Sequence, residues 1–115
     1  MAWTVRWFEM LKTASITENQ TADLEGRFVE LAQRWQRETA MHSVLQKKVL
    51  HPSYQRIIGF GPAVVPLILR ELRRGPAHWF WALNAITGED PAPPHSNFDQ
   101  AREAWLNWGK ERGYI

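Results

Sequence analysis

Apolar residues in this chain recur at helical intervals in short bursts, and most bursts stop at a glycine or a proline. Leu24, Phe28, Leu31, Ala32 and Trp35 lie three and four residues apart, the spacing that lines one face of an α-helix running to about Ala40. Thr21 is placed to cap that helix, with Asp23 and Glu25 in the first turn, where the helix dipole favours negative charge. Arg27, Glu30, Gln33, Arg34 and Arg37 fall on the opposite, solvated face. Upstream the pattern is ambiguous. Trp3, Val5 and Trp7 alternate as in a strand, whereas Trp7, Met10 and Leu11 sit at helical spacing. Residues 1–20 are therefore read as a short helix or an extended arm packed on the domain, with a polar break over Thr17 to Thr21.

Downstream, Ser43 is expected to cap a short helix carrying Val44, Leu45, Val49 and Leu50. His51-Pro52 ends it, because the residue before a proline is pushed out of the α region. Pro52 can itself open the next helix, where a missing N–H costs nothing. That helix holds Tyr54, Ile57 and Ile58 and stops at Gly59 or Gly61. Pro62 starts another, with Val64, Val65, Leu67, Ile68, Leu69 and Leu72. Pro66, one turn in, predicts either an irregular first turn or a helix proper from about Val65. Arg70, Arg73 and Arg74 stand near its C-terminal end, where the dipole favours cations, and Gly75-Pro76 is the next joint. Trp79 to Thr87 follows, closed by Gly88. After a loop holding Pro91, Pro93 and Pro94, Ser96 or Asn97 caps a last helix with Trp105 and Trp108 on one face and Gly113 at its end. The pattern predicts five or six short helices and no strand: an all-α chain forming one domain over residues 1–115.

Composition adds bounds rather than identity. A chain of 115 residues, 44% hydrophobic and 23% charged, has the size and balance of one globular domain with its own core. Seven tryptophans are unusual, and imply a large core, an adhesive surface, or both. A formal charge of +2 does not by itself call for nucleic acid or an anionic membrane. The lack of cysteine excludes disulfides, thiolate metal sites and Cys nucleophiles, and suits a reducing compartment. The first residues do not form a basic stretch followed by an apolar run, and the longest nearly apolar run, Gly59 to Leu69, is broken by Pro62 and Pro66. The expected setting is cytoplasmic, without membrane insertion.

The candidate chemistry centres on His78-Trp79-Phe80-Trp81. Successive helical residues are about 100° apart, so these rings spread widely around the helix. Trp79, Ala82, Leu83 and Ile86 form one stripe, and Trp81 with Ala85 another. Either the helix is central and covered on most sides, or the side carrying Phe80 and Trp81 faces a partner. Arg70, Arg73 and Arg74 lie just upstream, and basic residues interleaved with aromatics can bind single-stranded nucleic acid, although Glu71 dilutes the charge. His42, His51, His78 and His95 lack the spacing of metal pairs, and no cofactor is expected. His51 and His78 stand at helix starts beside prolines, where capping or turn contacts explain them. Glu89-Asp90, in a proline-rich loop, has the position of turn-forming carboxylates; a hydrolase would have to combine one of them with His78 in a pocket. Gly59-Phe60-Gly61-Pro62 lacks the lysine and the amide donors of a phosphate loop. No catalytic residue is assigned.

Gly61-Pro-Ala-Val-Val-Pro-Leu-Ile-Leu-Arg-Glu-Leu72 resembles the second helix of a HEAT-type helical repeat. Ala85-Ile-Thr-Gly-Glu-Asp90 with Ala104-Trp-Leu-Asn-Trp108 resembles the end of bacterial HEAT-repeat proteins, where a Thr-Gly-x-Asp turn leads to a final tryptophan-bearing helix. The resemblance covers residues 51–110. It implies that Trp105 and Trp108 pack over the turn at Thr87-Gly88. Motifs spread along the chain, His51-Pro-x-Tyr54-Gln-Arg-Ile-Ile-Gly, Pro66-Leu-Ile-Leu, His78-Trp-Phe-Trp-Ala-Leu and Ala85-Ile-Thr-Gly-Glu-Asp-Pro91, are similar to those of a family of small uncharacterised bacterial proteins. Its members resemble one half of a two-gene unit, which implies a protein partner encoded nearby, in an antitoxin-like or defence role. The expectation is a non-catalytic protein-binding module using Arg70, Arg73, Arg74, His78, Phe80 and Trp81. The alternative is a nucleic-acid-binding helical protein using the three arginines.

Overall fold

The helical spacing around Phe28 proves to belong to a much longer helix. A computed structural model describes the backbone of residues 2–115 and the side chains of residue 20 and residues 22–115. Helix α1 spans Ala2–Thr39, α2 Leu45–Val49, α3 Pro52–Gly59, α4 Val65–Arg74, α5 Phe80–Thr87 and α6 Phe98–Glu111, with a 3-10 turn at Gly61–Val64. The described residues contain six α-helices and no strand, so the chain is all-α as its periodicity predicts.

Two expected caps are not observed. Thr21 lies inside α1, and the polar run Thr17 to Thr21 does not interrupt it. The reason is that Thr, Asn and Glu only weaken a helix by a few tenths of a kcal/mol each, about as much as a neighbouring turn can absorb, whereas Gly and Pro break one. Neither occurs before Gly26. The packing expected of Trp3, Val5, Trp7, Met10 and Leu11 lies outside the described side chains. Ser43 does not cap α2 either: the position before that five-residue helix is Val44, with no side-chain cap.

The proline joints behave as their chemistry requires. Pro52 occupies the first turn of α3, and His51 caps it by accepting the Ser53 N–H on Nδ1 at 3.1 Å. Gly61 takes the left-handed φ of 76° that turns the chain into the next segment. Pro66 has no N–H to give Pro62, so the first turn tightens and the Val65 N–H bonds to the Pro62 carbonyl instead. The α-helix proper then begins at Val65. Gly88 closes α5 with φ 71°, and Asn97 and Gln100 form a reciprocal capping box at the start of α6.

One contiguous core joins these pieces. α1 contributes Phe28, Ala32 and Trp35, α3 contributes Tyr54 and Ile57, and α4 buries Val65, Leu67, Ile68, Leu69 and Leu72. Trp79, Ala82 and Leu83 enter from α5 and its leading residue, and Trp105 and Trp108 from α6. Trp79 sits at the middle of an aromatic cluster, 4.7 Å from Trp35, 5.7 Å from Phe28 and 5.7 Å from Tyr54 between ring centroids, the last pair stacked. Its indole N–H is buried without an acceptor. α6 docks on α4 through Arg102, whose guanidinium donates to the carbonyls of Leu72 (2.7 Å) and Arg73. It thereby places positive charge on carbonyls that the helix end leaves unpaired.

Candidate partner-binding site

The segment from the end of α4 to the first turn of α5 carries most of the expected site. Its rigidity comes from α3. The Tyr54 hydroxyl, on a fully buried ring, donates to the His78 carbonyl at 2.9 Å and accepts the Ala82 N–H at 2.9 Å. Ala82 is the third residue of α5, and the position before the helix, Trp79, offers no side-chain cap. Tyr54 therefore performs from another helix the service that an N-cap side chain usually performs locally. Burial pushes the phenol far above its ordinary pKa, against the smaller opposing effect of the Ala82 N–H, so it stays a neutral donor and acceptor.

That clamp fixes how the aromatics point. Trp79 is wholly buried, while Trp81, two residues on, is 57% exposed. Ala85, one turn later, is exposed beside it. Phe80 lies between these extremes, half-buried with its ring 5.0 Å from Phe98 of α6, and the His78 ring meets the edge of the same Phe98 at 6.0 Å. The helix is thus covered on the Trp79 face, flanked on the Phe80 side and open at Trp81.

The arginines divide. Arg70 is tied to Glu25 of α1 at 2.6 Å, and Arg74 to Glu71 at 3.0 Å, each at an exposed position. Arg73 is exposed, and its carbonyl takes part in the Arg102 contact. His78 and Glu89 bracket α5 from opposite ends. Glu89 accepts the Trp108 indole N–H at 3.1 Å and the Arg112 guanidinium at 2.6 Å, so it braces the start of the proline-rich loop against α6 rather than facing His78. Of the two tryptophans expected over the turn at Thr87-Gly88, Trp108 reaches the adjoining Glu89 in this way and stacks further on Tyr114, while the ring of Trp105 meets that of Trp108.

Beside His78 lies a depression of about 230 Å³ that periodicity does not reveal. Trp35, Thr39 and Ala40 at the end of α1, Lys48 of α2 and the Pro76–His78 turn line it. The Trp35 indole N–H reaches the Lys48 carbonyl at 2.7 Å, which locks α2 against α1. A second hollow of about 190 Å³ continues it past Pro76 and Ala77 to Glu71 and Arg74. Partial burial of the imidazole, and secondarily the Lys48 ammonium, hold the His78 pKa below its ordinary value. Around α2, Met41, Val44, Leu45 and Leu50 are exposed apolar residues, Met41 at 94%. Lys48 carries no signal in the sequence pattern; the one sign available is that no Asp or Glu occurs between Glu38 and Glu71.

No group of three or more His, Cys, Asp or Glu among the described residues is arranged to hold a metal ion. No helix of the described residues is long and apolar enough to cross a membrane. Comparison with protein-family models, with curated proteins and with solved structures finds no match to this chain.

Proposed function

We propose that this chain is a non-catalytic helical module that binds another protein, with Trp81 as the central anchor and Phe80, His78 and the Arg70–Arg74 segment as its surround. The observation that carries this reading is the exposure of Trp81 on a helix whose start is held by Tyr54. An indole presented on a rigid element has a large contact area and little conformational freedom left to lose on docking. Tryptophan and arginine are also the residue types over-represented among interface hot spots. The resemblance to HEAT-type repeats fits the same role, since such helical modules act by binding. The similarity to one half of a bacterial two-gene unit points to a cytoplasmic partner encoded alongside, in an antitoxin-like or defence arrangement.

The test is Trp81→Ala in co-purification and calorimetry with the protein encoded next to this one. The expected loss is about 2 kcal/mol of affinity, roughly 30-fold, with the thermal midpoint unchanged. A variant that melts early, or one that binds as well as the parent, defeats the assignment. Nucleic-acid binding ranks second, because Arg70 and Arg74 are already engaged by Glu25 and Glu71. It predicts affinity for oligonucleotides that falls steeply with salt.

A further inference from the structure

We infer that the depression between Trp35, Lys48 and His78 seats a carboxylate side chain from an acidic, partly apolar segment of the partner protein. This rests on the reading of the chain as a protein-binding module, and gives that partner a chemistry. The argument starts from charge. Lys48 and His78 face the same hollow from different elements, and no carboxylate lines it. The nearest ionisable groups along the groove, Glu71 and Arg74, satisfy each other, and Glu38 is turned toward His51 at 3.5 Å. An anion entering here would meet the Lys48 ammonium and an imidazole able to donate a hydrogen bond, and would displace no existing ion pair.

Shape and polarity narrow the class. The floor is the flank of Trp35, with Ala40, Pro76 and Ala77 around it, so the hollow accepts the apolar stem of a Glu or Asp as well as its charge. Leu45 lies three residues before Lys48 on α2 and Val44 immediately precedes that helix, and both are about half exposed. Apolar side chains next to the carboxylate would rest there. Concavity favours a protein segment over an anionic membrane, because a planar lipid surface cannot reach into a pocket floored by Trp35. The indole bond to the Lys48 carbonyl holds the site open in a fixed shape.

The probe is a short fluorescent synthetic peptide of Glu and Leu residues, titrated into the full chain at low ionic strength, with a Lys–Leu peptide as control. Saturable binding of the acidic peptide alone is expected, weakened at least about tenfold by Lys48→Glu and less by Lys48→Gln. Lys110→Gln, which removes a positive charge from an exposed position of α6 that does not line the hollow, should leave it within about twofold. Either Lys48 substitution keeps the backbone carbonyl that Trp35 uses, and thermal melts check that both variants fold. The imidazole resonances of His78, followed by NMR across pH, should show its pKa rising when the peptide is bound. No binding, binding indifferent to Lys48, or binding weakened as much by Lys110→Gln as by Lys48→Gln overturns the proposal. So does Lys48-dependent sedimentation with phosphatidylserine vesicles in place of the peptide, which would assign the hollow to lipid headgroups. Co-purification with the neighbouring protein, dependent on Trp81, stands or falls independently of these results.

Discussion

Replacing Tyr54 with phenylalanine removes one oxygen atom and two hydrogen bonds from the centre of the molecule, and the structure says what that costs. The ring itself stays: its stacking on Trp79 and its contact with Trp35, 5.0 Å away, do not depend on the hydroxyl. The His78 carbonyl belongs to an exposed residue and can turn to water. The Ala82 N–H cannot, because Ala82 is wholly buried and its amide, in the first turn of α5, has no partner within the helix. An unmade bond of this kind costs about 1–3 kcal/mol, to which the lost bond to His78 adds about 0.5–1 kcal/mol. The expected total is about 1.5–4 kcal/mol, and the middle of that range is roughly 10 °C in thermal midpoint for a domain of this size. Urea denaturation followed by near-ultraviolet circular dichroism measures the first quantity. Amide exchange at Ala82 should speed up beyond the global change. A loss under about 0.5 kcal/mol, or an Ala82 amide no faster than its neighbours, would refute the idea that Tyr54 supplies the cap of α5.

The same hydroxyl has a pH signature. Folding raises the Tyr54 pKa, so the folded state favours the neutral phenol. Its contribution to stability is then complete below the unfolded tyrosine value of about 10 and is lost as pH climbs above it. A phenylalanine in its place cannot ionise. The stability gap between the parent and Tyr54→Phe should therefore be constant from neutral pH to about 10 and narrow beyond it.

Two further substitutions test the docking of α6. A Cβ added at Gly109 would fall 2.6 Å from Leu69 Cδ1 and 3.3 Å from the Ile115 side chain, so Gly109→Ala should lower stability by about 1–2 kcal/mol even after its gain in helix propensity, measured by denaturant unfolding. Adding Leu69→Ala should cost less in that background than alone, and strict additivity would mean that Leu69 is not the obstacle. Glu89→Ala should destabilise by about 1–2 kcal/mol, chiefly by stranding the nearly buried Trp108 indole N–H, whose proton exchange by NMR should accelerate; the exposed Arg112 pair adds little.

What could be read along the chain was mostly punctuation. Pro52, Gly61, Pro66 and Gly88 act through their own covalent geometry, so the joints at those residues, and a helix proper starting near Val65, were legible before any contact was known. The run through Thr17 to Thr21 was not, because polarity resembles a linker while its residues remain compatible with a helix. Ser43 has the chemistry of a cap but stands one residue too early, at a start taken by Val44. The site was legible in type and not in arrangement. Periodicity drew two stripes on α5 without saying which was core. It could not pair Arg70 with Glu25, 45 residues away, or bring Lys48 to His78, since the first depends on how α4 meets α1 and the second on how the end of α1 and α2 meet the Pro76–His78 turn.

The open face at Trp81 follows from the number of layers that the described residues supply around α5. Trp79 and Trp81 are two residues apart, about 200° around the axis of α5, so no single neighbouring helix can bury both. α1 and α3 enclose Trp79 through Phe28, Trp35 and Tyr54, and α6 takes the Phe80 flank through Phe98. Among the described residues nothing covers the remaining side, where Trp81 and Ala85 stand one turn apart. A polar residue would serve there if solvent were the only neighbour, and the fold gains little from an indole more than half in water. On the proposed reading the missing layer comes from another molecule, and the rings around Trp79 and the bridge from Tyr54 would hold the orientation in which Trp81 meets it.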